Sequence, residues 1–328
     1  MATWSFPKPV ADYDTVIAEL EAETGAPVTG QHVVSRVVLN GFAAPGKGSA
    51  GWELVPYDLL YGRELKKLGV RGCGKIANFL PFASASAERL WKSVEDNLGA
   101  AIKVARDGDL SSTSSHAQVI KDGIALHLVR SPRYLRIHQD SARESASVTY
   151  AEAPFSHADV LQAEFYRRHG FYAAGPDALR TLLKGSLERW EELQRSGKLA
   201  RVSMAAMFER IRTGLREYDL EILRAPRGCD LIVSDAPAFT FRFDESAKFG
   251  VGCAVGDAHG IAMPIAGDCI AVIGPAYKTH GLSRDEVELF NRVQIERAIR
   301  FVWFRPGSGL GAFVAEAAKA IRPPRSTP

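Results

Sequence analysis

The chain has 328 residues, 46% of them hydrophobic and 24% charged, a balance that excludes a disordered, collagen-like or coiled-coil protein. Its 41 basic against 38 acidic side chains leave a net charge of +3, which excludes a histone-like polycation but allows a local basic site for an anionic partner. The cysteines Cys73, Cys229, Cys253 and Cys269 form no C-x-x-C pair and make neither a disulfide framework nor a zinc pattern, so they read as reduced, packed thiols. The first ten residues lack the apolar segment of a secretory signal, and Pro264, Gly267 and Asp268 interrupt the longest weakly charged stretch. A cytoplasmic protein with no membrane partner is the expectation.

In chain order, Ala11 to Glu23 sets Tyr13, Val16, Ile17 and Leu20 among acids and predicts an amphipathic helix, an extension over residues 1–29. Gln31 to Phe42 places Val34, Val38, Leu39 and Phe42 at helical offsets and predicts a second helix, although its valines also suit a strand. Trp52 to Tyr61 reads as a short extended piece broken at Pro56, and Gly69 to Gly74 as a turn without P-loop spacing. From Ser84, the stripe Leu90, Trp91, Val94, Leu98, Ile102 and Ala105 predicts a core helix ending at Gly108. A further helix follows the Ser111 to Ser115 cluster and stops before Pro132. Helices are also predicted at His157 to His169, Ala178 to Gln194 and Val202 to Tyr218.

After Asp219 the pattern becomes short apolar or alternating runs: Leu220 to Leu223, Leu231 to Val233, Phe239 to Phe243, Ile261 to Ile265 and Ile270 to Ile273. Their connections are too short for crossover helices, so antiparallel pairing is expected. A last helix from Arg284 carries a capping box, Ser283 with Glu286, and runs into an aromatic strand, Arg300 to Phe304. The resulting fold class is α+β, a predominantly helical N-terminal two thirds packed on a mainly antiparallel C-terminal sheet. Residues 30–320 form a single domain with a possible sub-boundary near 218, and 321–328 a disordered tail.

Several side chains invite chemistry. Gln31 and His32 open the second predicted element, where His32 can serve as general base or ligand, or simply pack. Glu95 falls between the stripe residues Val94 and Leu98, either at the edge of the buried face or on the solvent side. Arg130 and Arg133, with Arg136 beyond, suit bidentate binding of phosphate or carboxylate, or pair with Asp140 and Glu144 on a solvated face. Asp235, in Ser234-Asp235-Ala236-Pro237, sits at a strand end, which is both common turn chemistry and a rim where ligand sites are built. Asn291 is flanked by apolar residues and needs hydrogen-bond partners if buried; it and Arg297 read as structural bracing. His116 and His127 are assigned to packing or surface. No catalytic or nucleotide-binding fingerprint occurs.

In order, these segments resemble a family of uncharacterised, mostly bacterial proteins, domain of unknown function 4238. The family's opening pattern, Gln/His-His-x-x-Pro-x-x-x-Leu-x-x-Phe, corresponds to Gln31 through Phe42, with Ser35 in place of the proline. A helix with a Glu (Glu95), an Arg-x-Pro helix end (Arg130-Ser131-Pro132), a Ser-Asp-x-Pro strand end and an Asn helix leading to an aromatic strand complete the resemblance, from about Gly30 to Phe304. It implies relatives, not a reaction.

Two functions therefore compete. One is a hydrolase or nuclease-like enzyme on an anionic or phosphate-bearing substrate, an anionic small molecule or a nucleic acid. His32, Glu95, Asp235 and Asn291 would be catalytic, Gln31, Arg130 and Arg133 would hold substrate, and a divalent metal is an open option. The other is a non-catalytic binding or regulatory protein whose same residues brace a core.

Overall fold

The computed structural model of the chain describes residues 13–22, 28–46, 51–80, 82, 84–108, 110–111, 114–243, 249–274 and 281–321. The N-terminal helix is α1 (Tyr13–Glu21). The expected helix over Gln31 to Phe42 is instead divided. Residues Gly30–His32 form strand β1, a bend follows through Val33 to Ser35, and a short helix α2 covers Arg36–Asn40. The division has a cause: the Gln31 side chain exchanges hydrogen bonds with the backbone of Leu80 (2.8 Å each), which holds its own backbone extended.

Strands β2 (Ala44–Pro45), β3 (Trp52–Asp58), β4 (Arg63–Glu64), β5 (Leu68–Gly69) and β6 (Lys75–Ala77) come next. Strand β6 pairs with β1, setting Lys75 opposite His32. Pro56 does not break β3: its carbonyl accepts from the Leu65 amide (2.8 Å), and the strand continues through it. Among the described residues six strands thus precede the first long helix, so the expectation of a helical N-terminal two thirds is corrected: helices dominate the middle, and strands lie on both sides of it.

The helical middle is α3 (Ser84–Asp107), α4 (Ser115–Val129), α5 (Pro132–Ser156), α6 (Ala158–His169), α7 (Pro176–Arg195) and α8 (Lys198–Leu215). The Ser114 hydroxyl caps α4, accepting from the Ala117 amide at 3.2 Å. Pro132, expected only to end a helix, also begins one. It occupies the first position of α5, where a missing N–H costs nothing, and Ser131 caps it by accepting from the Tyr134 amide at 3.1 Å. Helix α5 escaped the sequence reading because it buries few residues, among them Ala142 and Ala153, and shows little periodicity.

Helix α4 is the opposite case, buried on nearly every side from Ile120 to Val129. Close contact with α3 depends on Gly123, where an added Cβ would lie 2.9 Å from a Leu98 methyl. Even Lys121 is buried, its ammonium donating to the carbonyls of Tyr218 and Arg216 beyond the end of α8.

Strands β7 (Leu220–Arg224), β8 (Val233–Ser234), β9 (Phe239–Phe243), β10 (Phe249–Val251), β11 (Gly260–Ala266) and β12 (Cys269–Ile273) follow, then α9 (Arg284–Arg297), β13 (Phe301–Phe304) and α10 (Leu310–Ile321). An antiparallel sheet runs β10-β9-β11-β12-β7, and its two most buried strands, β11 and β12, join the core of α2, α3 and α4. A second antiparallel sheet runs β2-β3-β13-β8 with β4 and β5 also on β3, pairing a strand from near the start of the chain with one from near its end. Its apolar face, Val55, Tyr57, Val302 and Phe304, packs on α9 and on α10, a helix the sequence reading omitted. The capping box of Ser283 and Glu286 is present as expected. Residues 1–12 of the proposed extension and 322–328 of the proposed tail lie outside the described residues.

Gly41 ends α2 against β11, where an added Cβ would fall 2.7 Å from the Ile265 carbonyl oxygen and 2.9 Å from Ala266 Cα. Since that neighbour is backbone in a central strand, Gly41→Ala is expected to lower unfolding stability by about 1–3 kcal/mol in urea titrations.

Candidate functional site

The predicted site residues separate into two clusters and one outlier. The first cluster lies where the β1–α2 bend meets α3 and the end of α4. Arg130, at the C-cap of α4, turns inward and is 1% exposed. Its Nη2 donates to Glu95 Oε1 at 2.6 Å and to Ser35 Oγ at 2.7 Å, and the Ser35 hydroxyl in turn donates to Glu95. The guanidinium stacks on Trp91, 5.1 Å from the ring centroid. Arg130 is therefore an internal countercharge to Glu95, not a clamp on the surface.

His127 completes this network from below, one helical turn before Arg130. The Ser35 amide donates to its Nε2 at 3.1 Å, while its Nδ1 faces the Gly123 carbonyl at 2.7 Å; that geometry fixes the neutral tautomer with the proton on Nδ1. Burial, with Arg130 beside it, pushes this imidazole down to about 3. Burial would raise the carboxyl of Glu95, but Arg130 and the Ser35 hydroxyl outweigh it and hold the carboxyl below the ordinary value. Ser35 and His127 were both missed as site residues. Ser35 was noted only as a departure from a motif proline, and His127 was indistinguishable in sequence from a packed histidine.

Above this buried network opens a cleft of about 460 Å³ lined by His32, Arg36, Glu88, Arg89, Lys92, Glu95 and Asp96. His32, at the end of β1, is half-buried, and its Nε2 is fully buried without a hydrogen-bond partner. Burial, then Lys75 opposite and Arg36 at the mouth, push it down to about 4, so it is neutral at physiological pH. Glu88, two turns before Glu95 on the same face of α3, carries a buried Oε1 that also lacks a partner. Burial raises its pKa above the ordinary value, assisted by the charge of Glu95 and opposed by Arg130. Spacing of seven on α3 was the available signal for Glu88. Among the described residues no three His, Cys, Asp or Glu side chains are placed to hold a metal ion.

Gln31 is fully buried and spends its amide on Val28 and Leu80, so it anchors the backbone beside His32.

The second cluster is elsewhere, at the junction of β8, α9 and β13. The Asp235 carboxylate is 1% exposed and accepts from the amides of Ile299 (2.8 Å), Arg300 (2.8 Å) and Phe301 (3.0 Å). Asn291 accepts from the Ile232 amide and donates to the Asp230 carbonyl, both at 2.9 Å. Gln294, which the sequence reading passed over, does the same for Ser234 and Pro237. These three side chains replace backbone pairing where β8 leaves its sheet. The outlier is Arg133, in the first turn of α5, which faces Arg297 across Gly252.

Because removing one partner of a buried pair strands the other, Glu95→Gln should cost about 3 kcal/mol in chemical denaturation, and adding Arg130→Met should recover most of that loss. A second expectation concerns pH. An unfolded imidazole takes its proton near 6.5, whereas His127 stays neutral down to about 3. The unfolded state then binds more protons across this interval, so stability falls as pH drops from 6.5 toward 3, with a slope of up to about 1.4 kcal/mol per pH unit from this residue. His127→Gln should flatten that slope in denaturation curves collected across the interval.

No helix among the described residues is long and apolar enough to cross a membrane. Neither a curated protein nor a solved structure matches the chain. A family model does match over residues 30–308, a span that takes in β1, both clusters and β13. The chain belongs to the family described as protein of unknown function (DUF4238).

Proposed function

We propose that the chain is a hydrolase acting on an anionic, phosphate-bearing small molecule in the His32 cleft. The observation that carries this reading is the pairing of two unsatisfied groups in one cleft: a neutral imidazole with a buried, unpartnered Nε2, and a carboxyl whose buried Oε1 is also unpartnered. Their environments push the two pKa values in opposite directions, His32 down and Glu88 up, which is the arrangement of a base and an acid that must work at one pH.

In this reading His32 Nε2 takes a proton from an attacking water, and the Glu88 carboxyl gives one to the leaving oxygen. Arg36, Arg89 and Lys92 line the cleft with the carboxylates of Glu95 and Asp96. Arg130 compensates Glu95 from below and Lys92 pairs with Asp96 at 2.6 Å, so with Glu88 protonated the cleft keeps a positive balance that favours a negatively charged substrate. Glu95, Ser35, Arg130 and His127 act as positioning residues, fixing α3 against the bend that carries His32. Asp235, Asn291 and Gln31 have their hydrogen-bonding atoms engaged by backbone and take no part in this chemistry.

The test is a panel of chromogenic phosphate mono- and diesters and carboxylic esters. A substrate of this site should show kcat/KM rising as pH passes above about 4, where His32 loses its proton, and falling again above the raised pKa of Glu88. His32→Ala should lower kcat by roughly 100-fold or more, and Glu88→Gln should remove the high-pH limb. If the folded protein turns over nothing in the panel and His32→Ala changes stability alone, the chain is instead a binding or regulatory protein.

A further inference from the structure

Arg297 and Arg133 pose a problem that the cleft does not solve. Arg297, in the last turn of α9, is 8% exposed, and its Nε is buried without a hydrogen-bond partner. Arg133, in the first turn of α5, has a buried Nε in the same condition. Among the described residues neither guanidinium has an ion pair or hydrogen bond with a carboxylate. A buried cation ordinarily requires a partner, and two cations set side by side require one more strongly. Burial, then the repulsion of Arg133, push Arg297 down to about 10; Glu296, its neighbour in sequence, offsets part of this. Even so it remains charged at physiological pH.

The geometry is built, not incidental. Both guanidinium groups converge on Gly252, which follows β10: a Cβ placed there would lie 2.4 Å from Arg297 Nη1 and 4.0 Å from Arg133 Nη2. Gly252 adopts φ +82°, a left-handed conformation suited to glycine, so the sequence supplies both the backbone turn and the space Arg297 occupies. The turn is held from behind, since the Gly252 amide donates to the Thr240 carbonyl at 2.9 Å and the Thr240 hydroxyl donates to the Cys253 carbonyl at 2.6 Å. Arg133 also stands at the positive end of a 25-residue helix, which adds to the attraction for an anion.

We infer that Arg133 and Arg297, together with the Gly252 turn, form a binding site for a phosphate group, free or esterified. Because Arg297 Nη1 and Arg133 Nη2 lie 2.4 Å and 4.0 Å from the same point, they are close enough for different oxygens of one tetrahedral anion to bridge them. A dianion neutralises both cations, which a carboxylate would not. The site uses α5, α9 and the loop after β10, whereas the proposed hydrolytic cleft uses β1, α2 and α3, so the two readings stand or fall separately.

Thermal unfolding in phosphate-free buffer tests it, with inorganic phosphate or glycerol phosphate replacing chloride at constant ionic strength. Ligand that binds the native state alone raises Tm by about 3–5 °C once it exceeds its Kd by about a hundredfold. That rise is expected in the wild type and in His32→Ala, and is lost in Arg297→Met. Arg133→Gln, at a half-exposed position, gives the same readout should Arg297→Met fail to fold. Equal rises with both ligands identify the phosphate group itself as what is bound; a rise with glycerol phosphate alone identifies a phosphorylated small molecule. A wild-type Tm unmoved by either ligand, or a rise that persists in the arginine variants, overturns the site.

Discussion

A guanidinium cannot be neutralised by losing its proton, so the burial of Arg130 dictates what surrounds it. The countercharge comes from Glu95 on α3, and the same Nη2 that meets it also donates to the Ser35 hydroxyl in the bend after β1. That one requirement fixes three segments in relative position: the bend, the middle of α3 and the end of α4. It also explains why the bend carries serine. A proline at position 35 would lack both the hydroxyl that links Arg130 to Glu95 and the amide that donates to His127. The cleft with His32 and Glu88 sits on this frame.

The far end of the chain is solved by different means. There the charge is the carboxylate of Asp235, satisfied by three consecutive backbone amides between α9 and β13. With Asn291 and Gln294 it ties the short strand β8 to the last long helix, and through β13 to β3. The five short motifs that carry the family resemblance therefore fall into two groups in space. The Gln31-His32 opening, the Glu95 helix and the Arg130-Ser131-Pro132 helix end build the first cluster; the Ser-Asp-x-Pro strand end and the Asn291 helix build the second. A motif whose residues lie far apart in sequence thus encodes two local braces, and the chemistry proposed for the chain draws on the first.

The elements legible in the sequence were those with a strong local cause. Helix α3 showed its stripe because one face is buried and the other is not. The cap of α9 was readable because Ser283 and Glu286 satisfy each other's neighbouring amides within three residues. What could not be read was set by distant partners. Gln31 is extended because Leu80 holds its side chain, and α5 is a helix although it offers little apolar periodicity. Whether Glu95 lies at the edge of the buried face or on the solvent side was open until α4 delivered Arg130 to it.

The sequence by itself determined the α+β class, the helices α1, α3, α4 and α6 to α9, most of the strands after Asp219, the capping box of α9 and the candidates His32, Glu95, Arg130, Arg133, Asp235 and Asn291. Tertiary structure alone decided which of them meet. It paired Glu95 with Arg130, set His32 and Glu88 along one cleft, turned Asp235 and Asn291 onto the backbone, and set Arg133 against Arg297. The reason is physical: patterning reports how each segment partitions between water and core, whereas charge compensation and hydrogen-bond satisfaction depend on which segments the whole chain brings within about 3 Å of one another.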